Sequence, residues 1–370
     1  MTMGLIRPMR FLSTLALLLT ATLLPAQDFD FKGVPADYAV IFATASSRGL
    51  KISDSPEAKA FKARLEKLVA DFDKSGKDSK AMQAAIIQAT GLDLESPDNR
   101  YAGGFSMTKD GSFTGGLIVR ARHDSAKLAA HAKAKNVPSL QAGAVKGWKI
   151  QELIASLSDE LAQAANSFPT PPGEAGGATE DFGVFDVDNN TMVIAQTKEA
   201  ARIIGLLKGQ GASYALPSAQ RSALSATGRA YAVVSVNAAK LPATPELAQS
   251  GFVSGLFAMG EKGSDQIMKI STTFTSKEKA APLAMQAQGM LAMAPMMLAG
   301  DPSKPETPEE KEMKALAGDF LAGIQPVEAT GNQVTLTAKW DTVKLYGMME
   351  KIVAIGAAKA KEMPQPAVGK

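Results

Sequence analysis

Five methionines, Met285, Met290, Met293, Met296 and Met297, crowd into one short stretch of the chain. A thioether is soft, polarisable and flexible. Such a cluster can therefore fill an irregular core, line an adaptable apolar groove, or bind Cu(I). Met290 and Met293 are three apart and share a helix face. The spacing offers Met285, Met290, Met293 and Met297 as one wall of a groove for an apolar molecule such as a lipid. Pro295 kinks that helix or ends its first segment, which opens the packing around it.

The other constellations are weaker. Asp186, Asp188 and Asn190 spell D-x-D-x-N, the opening of a calcium loop. Thr191 stands where the loop needs glycine, and Thr197 where it needs a bidentate glutamate. Asp and Asn also tolerate the left-handed geometry of tight turns, so a hairpin turn with at most a weak calcium site is expected. His123 and His131 are eight apart with no ligand-like pattern around them and read as surface residues. Ser276-Lys277-Glu278-Lys279 matches S-x-x-K, but S-D-N and K-T-G are absent, and the serine falls at a helix cap. No G-x-S-x-G, G-x-x-x-x-G-K-[ST] or G-x-G-x-x-G is present. The carboxylates are spread among lysines along helix faces, and no acid–base pair stands out.

Composition narrows the field further. The 370 residues are 45% hydrophobic and 21% charged, as in a globular protein with a proper core. There is no cysteine, which excludes disulfides, thiolate metal sites and cysteine nucleophiles. The net charge of +3 is too small to argue for nucleic acid. Residues 1–26 carry Arg7 and Arg10, then an apolar run from Phe11 to Leu24, then Pro25-Ala26. That is the order of a signal peptide, and the run is short for a membrane span. Its removal leaves a nearly neutral mature chain outside the cytoplasm, either periplasmic or secreted.

The elements that must position these residues alternate strand and helix. Tyr38–Thr44 and Arg229–Asn237 are compact apolar runs. Tyr101–Thr108 with Ser112–Ala121, and Phe182–Val187 with Thr191–Thr197, read as hairpins. Ile267–Thr275 and Gln333–Trp340 alternate as half-buried antiparallel strands. Helical spacing runs through Pro56–Phe72, Ser79–Ala89, Ser125–Lys135, Glu152–Phe168, Lys198–Lys208, Pro245–Met259, Lys277–Leu298, Pro308–Leu321 and Thr342–Lys361. A strand–cap–helix junction recurs at Asp124, Thr197, Thr275 and Asp341, and Thr275 with Glu278 fits a capping box.

The expected fold class is therefore α+β. It consists of two related units, each with helices packed on one face of an antiparallel β-sheet in the order strand-helix-strand-helix-hairpin-helix. The first unit spans 27–209, a connector 210–228, the second unit 229–361, and a disordered tail 362–370. The chain resembles secreted bacterial proteins of unknown function that open on a VPADxAV strand, here Val34-Pro35-Ala36-Asp37-Tyr38-Ala39-Val40. These also repeat a strand, T-x-E-A, helix segment, here Val193 to Ala200 with Thr197 and Glu199. The resemblance implies an α+β repeat fold outside the cytoplasm and transfers no catalytic residue. The functional expectation is a non-enzymatic binding or interaction protein without a cofactor, its partner a protein or an apolar small molecule. The alternative is a hydrolase whose site is assembled only in the fold.

Overall fold

A computed structural model describes residues 29–45, 76–157 except 95, 97 and 108–112, 182–299 and 307–362, with scattered helical positions in 56–64. The expected leader over 1–26, most of the helix over 56–72, the turn at 109–111, the Pro/Gly-rich stretch 169–178 and the tail beyond Glu362 lie outside the described residues.

Every strand pairing is antiparallel. The strands are β1 (Val40–Ala45), β2 (Arg100–Met107), β3 (Phe113–Arg120), β4 (Ser139–Ala142), β5 (Val145–Lys149), β6 (Phe182–Asp188), β7 (Thr191–Gln196), β8 (Arg229–Asn237), β9 (Phe252–Lys262), β10 (Asp265–Phe274), β11 (Glu328–Thr330) and β12 (Gln333–Asp341). They form one 12-stranded sheet in the order β11-β12-β10-β9-β8-β1-β2-β3-β7-β6-β5-β4. The two halves of the chain meet at its middle, where Val40 pairs with Val236 and Thr44 with Ala232.

The labelled helices are α1 (Gly76–Thr90), α2 (Ser125–Ala134), α3 (Ile150–Ala155), α4 (Thr197–Leu207), α5 (Ser218–Ser225), α6 (Pro245–Ser250), α7 (Lys277–Ala299), α8 (Pro308–Ala322) and α9 (Thr342–Glu362). They cover both faces of the sheet, where the sequence suggested one. The reason is the two-residue period of a strand. Ile118, Phe185 and Val193 point into one core with Ile203 of α4 and Ala223 of α5. Their neighbours Val119, Val184 and Met192 point into another with Leu128 and Ala132 of α2 and Leu153 of α3. These strands are apolar on consecutive residues, so each face needs a cover. In the other half, Leu256 and Ala258 join the first core. The opposite face packs Ala338 and Trp340 against Leu316 of α8 and Met348 of α9, and Phe274 and Val334 against Ala280 of α7.

One expected helix is mostly strand. Pro245–Met259 has helix-forming Leu, Ala and Met, yet α6 stops at Ser250. Gly251 then takes a left-handed φ of 67°, and a Cβ there would sit 2.7 Å from the Thr275 hydroxyl. From Phe252 the chain is β9, with Leu256, Ala258 and Gly260 buried at alternate positions. Pairing on both sides overrides local helix preference.

The caps follow the expected junctions in part. Asp124 accepts from the N–H groups of Ala126 and Lys127, both at 3.0 Å. Asp341 accepts from the N–H of Lys344 at 3.0 Å. The α4 junction has Gln196 at the cap position with no side-chain bond. At α7 the accepting hydroxyl is Ser276, toward the Lys279 N–H, rather than Thr275. The reciprocal capping box is formed on α8 instead, by Thr307 and Glu310.

Candidate functional site: an uncharged methionine face

From Ala280 to Ala299 the chain has no charged residue. This stretch is the body of α7. Ala280 is buried, and Ala284, Ala287, Leu291, Ala294 and Leu298 are half-buried, at successive spacings of four, three, four, three and four. That spacing aligns one stripe of a helix along the body of the protein. Ala280 and Ala284 pack on Phe252, Phe274 and Val334. Small residues there bring the helix close to the sheet.

The remaining circumference faces outward. Met285 is 76% exposed, Met290 65%, Met293 57% and Met296 77%. Leu283 is exposed beside them, and Gly289 has open space where a Cβ would be. Core packing thus does not describe Met285, Met290 or Met293. The side chain of Met297 lies outside the described part of the helix. These methionines do not line either of the two described cavities of about 500 Å³. The neighbouring helices extend the apolar exposure through Met313 and Phe320 of α8 and Val343 and Ile352 of α9. Surface helices ordinarily carry charge on their outer face, and the body of α7 carries none. Among the described residues no helix is long and apolar enough to cross a membrane.

Asp186, Asp188 and Asn190 lie at the β6–β7 hairpin, where a bulge separates Asp186 from Asp188. The Asp188 carboxylate accepts the Asn190 N–H at 2.8 Å and so closes the turn. Asp186 points inward. Its Oδ1 accepts from the Ser125 hydroxyl and lies against His123 Nε2, both at 2.9 Å. His123 Nδ1 is 3.0 Å from the Ala121 carbonyl. Both ring nitrogens face oxygen acceptors, so the geometry suits the imidazolium, which donates from each. Burial alone lowers the His123 pKa. The bonds to Asp186 and Ala121 and the charges of Asp186 and Asp188 outweigh it, and the net shift is upward.

His123 is buried, not on the surface as its sequence context suggested. The three side chains are not arranged for nucleophilic attack. The serine proton goes to the carboxylate, and no neutral imidazole nitrogen is free to take it. Among the described residues, no three His, Cys, Asp or Glu side chains converge as a metal site.

The two motifs behind the family resemblance meet in space. The Tyr38 hydroxyl donates to Glu199 Oε1 at 2.6 Å, and both residues are buried. Arg202 bonds the same oxygen at 3.2 Å, pairs with Asp37, and lies over the Tyr38 ring. Burial and the Glu199 bond hold the Tyr38 hydroxyl far above its ordinary pKa. VPADY and TKEA therefore form a staple between the start of β1 and the first turn of α4. No single-sequence signal pairs residues 161 positions apart.

No family model matches this chain, and no curated protein matches it. Three solved structures, crystal forms I, III and IV of TP0453, align over 88–90% of this chain and 98–99% of theirs. Their identities are 9%, 7% and 7%, with TM-scores of 0.37, 0.39 and 0.40.

Proposed function

We propose that this chain is an extracytoplasmic, non-enzymatic binding protein whose docking surface is the outer face of α7. The observation that carries this reading is a run from Ala280 to Ala299 without charge, held on the surface with four methionines more than half exposed. The exposed methionines line neither cavity of about 500 Å³, which suits a macromolecular partner better than an enclosed small molecule. Between Ala280 and Ala299 the surface lacks the lysines and aromatic anchors by which helices usually hold anionic bilayers. Methionine-rich faces repack around apolar helices of varied sequence. The partner favoured here is thus an apolar face of a helix on another protein. Burying four methionines is worth about 6–12 kcal/mol gross, comparable to what association costs in lost freedom. A contact through α7 alone is therefore weak, and Met313 and Phe320 are expected to add to it.

The test uses a fluorescent synthetic helix with leucine at i, i+3, i+4 and i+7 and an uncharged polar face. Wild-type protein is expected to bind it with micromolar affinity by anisotropy. The double variant Met285→Glu/Met293→Glu is expected to lose at least tenfold with an unchanged Tm. Equal binding by the variant overturns the assignment. Co-sedimentation with phosphatidylcholine vesicles but not with the peptide replaces a protein partner with lipid.

The same reading includes a duplicated unit. Its support lies in two matching staples. Tyr38-Ala39-Val40-Ile41 begins one series and Tyr231-Ala232-Val233-Val234 the other. The Tyr38 hydroxyl holds Glu199 in the first turn of α4. The Tyr231 hydroxyl donates to Gln266 at 2.8 Å, and Gln266 reaches Thr342, the first residue of α9. In sheet order, β1-β2-β3-β7-β6 runs outward on one side and β8-β9-β10-β12-β11 on the other. The corresponding unit is strand, helical connection, hairpin, helix, hairpin, helix.

A further inference from the structure

A cavity of about 500 Å³ lies between residues 29–32 and α5, on the face of the sheet opposite α7. Its walls are part apolar and part polar. Phe31 and Leu216 are buried, Tyr214 meets Phe31 edge-on at 5.2 Å, and Leu224 is half-buried. The volume falls in the range of small-molecule sites.

The polar groups at this cavity are unequally committed. Asp30 is spent: its Oδ1 accepts the Lys32 N–H at 2.8 Å, and its Oδ2 faces Arg120 at 3.1 Å. The Tyr214 hydroxyl donates to Ser235, and the Ser225 hydroxyl to the Arg221 carbonyl. The Arg221 guanidinium and the Lys32 ammonium also line the cavity and have no hydrogen-bond or ion-pair partner among the described residues. The result is an open, partly apolar cavity whose rim carries two exposed cations without a partner among the described residues and one neutralised acid. Charge complementarity selects an anion, and the lining selects an apolar body.

We infer that this cavity binds a small aliphatic carboxylate, with its chain against Phe31, Tyr214, Leu216 and Leu224 and its headgroup on Arg221 and Lys32. A guanidinium suits a carboxylate because its planar fork can give two parallel N–H bonds. This site is independent of the α7 face, and either can fail without the other.

The experiment is isothermal titration of the full mature chain with decanoate, and with decanol as a neutral control. Wild-type protein is expected to bind one decanoate, at least tenfold more tightly than decanol, and more weakly as salt rises. Arg221→Gln is expected to remove that tenfold preference while retaining decanol binding. Ser225→Trp, at an exposed lining position, is expected to block both ligands. Met285→Glu/Met293→Glu is expected to leave decanoate binding unchanged. No decanoate binding by wild-type protein overturns the inference. So does binding that neither Arg221→Gln nor Ser225→Trp alters, or binding lost in the methionine variant alone.

Discussion

Two buried ionisable residues make stability depend on pH, and both act in the same direction. His123 has a folded pKa above its ordinary 6.5, with Asp186 among the groups that raise it against burial. Its contribution is complete below pH 6.5 and is lost as pH rises through the folded value. Asp186→Asn removes the anionic partner and is expected to cost about 1.5–3 kcal/mol at pH 6. The loss should shrink toward pH 8.5 in urea titrations; an equal loss at both pH values contradicts a charged His123. Glu261 is buried, and its Oε2 has no hydrogen-bond partner. Burial pushes its pKa above 4.5 against the opposing charge of Arg229. Such an acid is least costly to the fold while protonated, so its penalty grows as pH climbs from 4.5 through the folded value. Glu261→Gln is expected to stabilise the protein above neutrality by on the order of 1 kcal/mol, with no gain at pH 4. Thermal melts across pH 4–8 check it.

Elements here are set by their ends as much as by their periodicity. Asp124 satisfies two free N–H groups at the start of α2, whereas Gln196 satisfies none at α4 by its side chain. Asp124→Ala is expected to cost about 1 kcal/mol, and Gln196→Ala close to nothing, in parallel denaturation curves. At the α4 junction Glu199 is held from the other side, by Tyr38 and Arg202. The boundary of α6 teaches the converse. Gly251 is visible in the sequence, but Leu, Ala and Met after it favour helix. Only the neighbours β8 and β10 make that segment a strand. The α7 helix combines both lessons. Its period is legible, but the same period is compatible with methionine inside or outside.

At the scale of the whole molecule, one core draws on both halves of the chain. Ile41, Ala43, Ile118 and Val193 share it with Val233, Leu256 and Ala258. The β1–β8 pairing joins the halves by backbone hydrogen bonds as well. Unfolding is therefore expected to be a single cooperative transition, followed equally by near-ultraviolet and far-ultraviolet circular dichroism. Leu256→Ala is expected to shift both probes together, at a cost of about 2–5 kcal/mol. Two separated transitions would show that the halves are energetically independent.

The sequence by itself determined what depends on short-range order. The alternating strands, the hairpin at Asp188–Asn190, most helix spans, the caps at Asp124 and Asp341, and the absence of thiol chemistry all follow from residues a few positions apart. The tertiary structure alone decided what depends on which elements become neighbours. It joined both halves in one sheet, covered that sheet on both faces, buried His123 against Asp186, and brought Tyr38 to Glu199. It also turned the methionines outward and formed an open cavity between residues 29–32 and α5. The physical reason is common to all of these. A side chain's neighbours along the chain fix its local backbone, but its solvation and charge environment come from residues distant in sequence, 63 positions for His123 and Asp186 and 161 for Tyr38 and Glu199. Sequence spacing carries no record of those distances.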